Sequence, residues 1–328
     1  MFPGEVISAL PVPESILSSR EGVLKRFISS QIAYPRLLQN FSISGVAHIL
    51  DHSSAYLVPA LKKMGVPILV TAHDIFPLYC NEGLSVRQKN RFRRTLDNLH
   101  HADMIFSVSE FSKGDLVEKL GLDAEKILVN PLGVHPCFQP NGPRVTGVAQ
   151  GRLTVLSVGT TGPRKNLESL PKIFKEVSRT FSNVTLVRIG PKLNEDLLKS
   201  LQEILGVEGV IELGRVDEDD LVKWYNTADV LILPSLFEGF GLPALEAMAC
   251  GCPVVSSHSA SLTEVGGDSV TYFDPNDSRG GGEALVKVLG DPALRERMAS
   301  SGSRRASTFT WEAHCEGLMS SYRKIANS

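Results

Sequence analysis

Of 328 residues only five are cysteine, Cys80, Cys137, Cys250, Cys252 and Cys315, an odd number with neither CxxC spacing nor a nearby histidine cluster. The sequence therefore gives no sign of a disulfide framework or a paired-cysteine metal site, and a reducing cytoplasm suits it best. Cys250 and Cys252 flank a single glycine where a helix turns into a strand. That pair reads either as a soft-metal ligand set or as two small buried side chains. There is no run of about 18 apolar residues, and no charged head followed by an apolar stretch opens the chain, so neither a membrane span nor a signal peptide is predicted. A net charge of −2 supplies no global basic field for nucleic acid. Neither glycine turn reads G-x-G-x-x-G with an acidic residue about 20 positions on, which argues against a dinucleotide oxidoreductase. Internal short-period repeats are lacking as well.

What is present is an ordinary globular composition, 42% hydrophobic and 21% charged, in a chain long enough for two domains. Short Val/Ile/Leu runs alternate with longer amphipathic segments, the pattern of parallel strands buried between helices. In the first half the strands read Val46–Leu50, Pro67–Thr71, Met104–Val108 and Lys126–Val129, with helices Ala55–Met64, Ser85–His101 and Phe111–Leu120. Residues Gln139 to Arg152 lack an apolar period and read as a linker. The alternation then resumes from Leu153–Val158 to a last helix at about Trp311–Ile325. Gly280 to Gly282 read as a loop leading into a helix. The expected organisation is a first domain over 1–145, a second over 146–308 and a C-terminal helix over 309–328 that packs back on the first. The usual opening strand, glycine turn and helix have no counterpart in Met1 to Val6, so the first domain is expected to lack that unit.

Two glycine turns carry the chemistry. After the apolar strand that ends at Leu233 comes Pro234-Ser-Leu-Phe-Glu-Gly-Phe-Gly-Leu-Pro-Ala-Leu-Glu246. Gly239 and Gly241 permit close backbone approach and Pro243 suits a first helical turn, so free amides and the carboxylates of Glu238 and Glu246 can face one cleft. Carboxylates accept hydrogen bonds from sugar hydroxyls; the plainer reading is that both merely complement a helix start. The second turn follows strand Leu153–Val158 as Gly159-Thr-Thr-Gly-Pro-Arg-Lys-Asn166. Arg164 and Lys165 before a helix make a diphosphate site, or else two solvated basic residues in a loop. His73 and Asp74 stand at the C-terminal end of a strand, where α/β ligands gather, although a lone histidine is as well explained by structure.

Together these turns, with Val70-Thr-Ala-His-Asp74, Val129-Asn-Pro-Leu-Gly-Val134 and Gly251-Cys-Pro-Val-Val255, resemble the retaining glycosyltransferases of family 4, also called group 1. The resemblance runs from about His48 to the C-terminus and implies a GT-B fold, two Rossmann-like doubly wound domains facing across a cleft. It implies that Arg164 and Lys165 hold the donor diphosphate, with no metal. Glu246 then takes the ribose hydroxyls, while Glu238 and the amides around Phe240, Gly241 and Leu242 grip the donor sugar. His73 lines the cleft from the opposite domain. Where the family often has an arginine this chain has Thr160, which throws more weight on Arg164.

The expected function is metal-independent, retaining transfer of a sugar from a nucleotide-sugar donor, a substrate and not a cofactor, to a saccharide or lipid-linked acceptor. The alternatives are a non-catalytic nucleotide-sugar-binding protein and a GT-B sugar-nucleotide epimerase. No nucleic acid partner is expected. The basic stretch Arg87–Arg94 offers a peripheral contact with the inner face of a membrane, or is simply a solvated helix face.

Overall fold

The structure is a computed structural model that describes residues 45–79, 85–146 and 151–327, together with Arg36, Leu38 and Ile43. The expected lack of an opening unit concerns residues outside that set.

The first sheet has four parallel strands in chain order, β1 (Ala47–Ile49), β2 (Ile68–Ala72), β3 (Met104–Ser107) and β4 (Ile127–Val129). Every residue of β2 and β3 is buried, which is why these strands read as continuous apolar runs and not as alternation. Helices α1 (Val58–Lys63), α2 (Val86–Asp97) and α3 (Glu110–Leu120) accompany them. Ser85 and Gln88 form a capping box that starts α2, and Gly121, at φ 68°, ends α3 in the left-handed region that glycine enters without strain.

The second sheet has six parallel strands. They are β5 (Leu153–Val158), β6 (Val184–Ile189), β7 (Val210–Gly214), β8 (Val230–Leu233), β9 (Val254–Ser257) and β10 (Thr271–Phe273). Their order is β10-β9-β8-β5-β6-β7, the doubly wound pattern in which the winding reverses between β5 and β8. Alternate residues feed two cores, Val155, Leu186, Val230 and Val255 on one face and Leu156, Val187, Leu231 and Val254 on the other. Each such side chain, fully buried, contributes about 1.5–3 kcal/mol. Helices α4 (Leu170–Val177), α5 (Glu195–Leu205), α6 (Glu218–Thr227), α7 (Leu242–Ala249), α8 (Leu262–Gly266), α9 (Ser278–Gly290) and α10 (Pro292–Ala306) surround the sheet.

The final helix, α11 (Trp311–Ala326), returns to the first sheet, where Ile325 joins Leu69, Met104 and Phe106. His48 of β1 bridges Tyr322 Oη at 2.6 Å and Thr71 Oγ1 at 2.8 Å, and burial pushes its pKa down to about 4, so near neutral pH it joins the two hydroxyls as a neutral ring.

One expectation fails here. Gly280, Gly281 and Gly282 are not a loop; they form the first turns of α9, capped by Asp277. The cause is packing: a Cβ at Gly282 would lie 2.4 Å from Glu176 Cβ, and one at Gly281 2.9 Å from the Phe273 ring, so bare backbone is what lets α9 close on α4. Cys250 and Cys252 are buried, and burial pushes both thiols up, that of Cys250 to about 12. They are core side chains. Among the described residues no helix is long and apolar enough to cross a membrane.

Candidate functional site

The C-terminal edge between β5 and β8 is where ligands bind in doubly wound sheets, and both glycine turns end there. After β5, Gly159 has φ 133°, and a Cβ on it would meet Lys165 Cε at 3.2 Å. The short turn Pro163–Lys165 closes on Asn166, itself left-handed at φ 51°. The Asn166 amide donates to Pro234 O and Pro275 O, both at 3.0 Å, and Leu236 N donates to Arg164 O at 2.7 Å. These bonds fasten the turn after β5 to the loop after β8.

The fastening sets three charged groups together. Lys165 Nζ lies 2.6 Å from Glu238 Oε1 and Arg164 Nη1 lies 3.2 Å from Glu238 Oε2. Ser235 Oγ also donates to Glu238 Oε1 at 2.7 Å. The Lys165 and Glu238 side chains are only 8% and 6% exposed, whereas that of Arg164 remains 31% exposed. Arg164 reaches across to the first domain as well, with Nη1 3.9 Å from Asp74 Oδ2.

The loop after β8 is clamped against that domain. Gly239 O accepts from Ser109 Oγ at 3.0 Å, and Ser112 Oγ lies 3.1 Å from His73 O and 3.3 Å from Gly239 O. A Cβ at Gly239 would stand 2.7 Å from His73 O, so this position requires glycine. Phe237, buried, packs among Phe76, Tyr79 and Phe111 with ring centroids 5.4–5.5 Å apart. The Glu264 carboxylate accepts from Glu110 N and Phe111 N at 2.8 and 2.6 Å, placing negative charge on the N-terminus of α3.

Not every sequence-predicted residue joins the group. The backbone of His73 touches the Gly239 loop, but its ring Nε2 is 3.2 Å from Leu50 O and faces the end of β1. Glu246 sits on α7 with a separate partner, accepting from Tyr225 Oη at 2.9 Å. Burial, with Glu218 nearby, raises its pKa to about 7 against the Tyr225 hydrogen bond. Phe240 is buried beside Phe309, leaving only its backbone for a ligand; Gly241 starts α7 at φ 100°, followed by Leu242. Thr160 is exposed on the turn after β5.

Arg188 escaped the motif reading. It is the penultimate residue of β6, 1% exposed, and donates to Ser157 O, Gly159 O, Thr160 O and Ile189 O. Burial pushes its pKa down to about 10, although Glu212 opposes the shift. Beside it a Cβ on Gly190 would lie 1.9 Å from Gly159 O, so the β5 and β6 turns touch backbone to backbone. An arginine inside the Val/Leu/Ile-rich run Val184–Ile189 was a visible anomaly. Ser235 and Tyr225 carried no comparable signal. Among the described residues one set has metal-ligand chemistry, His135, Cys137 and Glu218, with ligand atoms within 4.8 Å of one another. It lies by the linker and not at the cation pair.

The chain is similar to known proteins in sequence and in fold. The family model for glycosyl transferases group 1 matches residues 139–305, and that for glycosyltransferase family 4 matches residues 5–137. The chain is 30% identical over 329 residues to O-antigen chain mannosyltransferase B of Escherichia coli, covering 94% of this chain and 84% of that one. Against the serotype-specific mannosyltransferase WbdA of the same organism identity is 27% over 277 residues, and the chain spans only 34% of that longer protein. Among solved structures, sucrose-phosphate synthase from Thermosynechococcus elongatus superposes with a TM-score of 0.78 at 22% identity, over 94% of this chain and 80% of that one. An alpha,alpha-trehalose-phosphate synthase from Burkholderia vietnamiensis gives 0.71 at 18%, over 92% and 77%. These likenesses establish the GT-B fold, and the two family models between them span both domains: the chain belongs to the group 1, family 4 glycosyltransferases.

Proposed function

We propose that the enzyme moves a hexosyl group from a nucleotide-sugar to a saccharide or lipid-linked acceptor with retention of configuration, and that Arg164 and Lys165 do the electrostatic work that a metal does in other transferases. Support comes above all from one observation: two fixed cations and two carboxylates lie within ion-pair reach at the reversal point of the second sheet. As the bond between the anomeric carbon and the phosphate oxygen breaks, that oxygen keeps the electron pair, and the guanidinium and ammonium stabilise its charge. Glu238 and the amides of Phe240, Gly241 and Leu242 hold the sugar, and Glu246 accepts from the ribose hydroxyls. His73 and Asp74 belong to the acceptor side. The nucleotide-sugar is a substrate, and no other cofactor takes part. The names of the two Escherichia coli relatives make mannose the first donor sugar to test.

The acceptor side offers a membrane contact. Arg87, Arg93 and Arg94 of α2 are exposed next to Val86, which is 74% exposed. Near an anionic surface each such charge adds about 1 kcal/mol, so the first domain is read as docking peripherally on the inner leaflet of the membrane. Co-sedimentation with phosphatidylglycerol vesicles checks this; equal recovery on neutral phosphatidylcholine vesicles contradicts it.

Donor binding is tested by thermal shift against UDP-, GDP- and ADP-linked mannose and glucose. A donor at 100 times its dissociation constant adds about 2.7 kcal/mol of stability, and Arg164→Ala and Lys165→Ala each remove that gain. If no donor shifts the wild type, or if both variants respond like the wild type, the reading is wrong.

A further inference from the structure

Lys165 and Arg164 do not await a phosphate with their charges free. Both already hold Glu238, and the second oxygen-facing contact of Arg164 is to Asp74. Two cations face two carboxylates, so the group has no surplus positive charge. The Lys165–Glu238 contact is also well desolvated, with the side chains 8% and 6% exposed. Separating such a pair is costly unless each member finds a new partner. A nucleoside diphosphate supplies one for the cations only. Glu238 would be left buried without either cation, and in swinging away from Lys165 its Oε1 would also give up the 2.7 Å bond from Ser235 Oγ. A nucleotide-sugar supplies both halves, since its diphosphate takes the cations and its sugar hydroxyls donate to the carboxylate.

We infer that Glu238 is an internal anion occupying the diphosphate site, one that nucleotide-sugar displaces readily and free nucleoside diphosphate displaces poorly. This deepens the donor-site reading and rests on it. Glu238 thereby becomes a specificity-determining residue, favouring entry of the intact donor and release of the nucleotide product, because loss of the sugar returns the carboxylate to Lys165. Ser235 is its positioning residue, holding Oε1 at 2.7 Å in the paired orientation. The hydroxyl of Ser261, 2.8 Å from Glu238 O, fixes the backbone from which the side chain swings.

The test is isothermal titration of UDP, GDP and ADP, and of the corresponding nucleotide-sugars, into wild type, Glu238→Gln and Ser235→Ala. Glutamine keeps the size and one acceptor but not the charge. The nucleoside diphosphate that wild type recognises binds Glu238→Gln at least tenfold tighter and Ser235→Ala about threefold tighter. The intact nucleotide-sugar gains less or loses affinity, so the donor-to-product ratio collapses. A merely structural role for Glu238 weakens both ligands together. Unchanged or weaker diphosphate binding in Glu238→Gln overturns the inference while leaving the donor site standing. Should Glu238→Gln fail to fold, unchanged affinity in Ser235→Ala overturns it alone. If no nucleoside diphosphate or nucleotide-sugar binds the folded wild type, the donor-site reading falls first and this one with it.

Discussion

Glu246 offers a test that needs no substrate. Its carboxyl pKa is raised from 4.5 to about 7, chiefly by burial beside Tyr225. From 4.5 to about 7, at 1.36 kcal/mol for each pH unit between them, this corresponds to about 3.4 kcal/mol. Because the folded-state value is the higher one, the folded protein binds the extra proton between the two. Stability is then full below pH 4.5, falls as the pH rises through about 7, and levels off above that. Glu246→Gln removes the titration and keeps an acceptor for Tyr225 Oη. Between pH 4.5 and pH 8 the variant should therefore gain on the wild type by about 3 kcal/mol, which for a domain of this size is roughly 6–12 °C in Tm. Scanning calorimetry of both proteins at the two pH values reads the difference directly. A Tm gap that is the same at pH 4.5 and pH 8 refutes the reasoning, because it means the carboxyl titrates alike in the folded and unfolded chain. If Glu246 takes the ribose hydroxyls as proposed, they donate best to the ionised group, so wild-type donor affinity should rise with pH up to about 7 and then stay flat.

Three further perturbations follow from the geometry. Arg188→Met removes the charged donor shared by Ser157 O, Gly159 O, Thr160 O and Ile189 O, and should cost about 3–5 kcal/mol in urea unfolding; a loss below 1 kcal/mol would mean that water satisfies those carbonyls. Gly239→Ala drives a Cβ against His73 O and forces the loop from the first domain, so kcat/KM should fall at least tenfold, on the order of 1.4 kcal/mol in the barrier, with little change in Tm. Glu264→Gln leaves the N-terminus of α3 without its charge partner and should lower stability by about 1 kcal/mol, an effect that fades as salt is added.

The strands and the long helices were legible because they are carried by local patterns. The run Leu153–Val158 is strand β5 to the residue, and Trp311–Ile325 differs from α11 by one residue. Short elements without a Val/Ile/Leu run were not: β10 reads Thr-Tyr-Phe, and α8 spans five residues, too few for a helical period to register. The glycine triplet at 280–282 was misread because composition marks glycine as loop, whereas here the missing side chains admit Ile173 and Glu176. In the site, the residue types that bring Arg164, Lys165 and Glu238 together were visible in the two turns. Their pairing was not, since it depends on loops 73 and 74 residues apart folding against one another. For the same reason nothing local announced that Glu246 would be held by Tyr225, or that the His73 ring would turn toward Leu50.

The claim at the centre is that the charge of the departing nucleotide is met by Arg164 and Lys165. The most direct measurement is the initial rate of sugar transfer, with the donor identified by thermal shift, for wild type, Arg164→Ala and Lys165→Ala, each with and without EDTA. Removing one preorganised donor to a developing oxyanion costs about 10²–10³ in kcat, so each variant should fall by that factor while EDTA leaves the wild-type rate unchanged. Variants that keep their rate, in an enzyme that EDTA silences, would contradict the account.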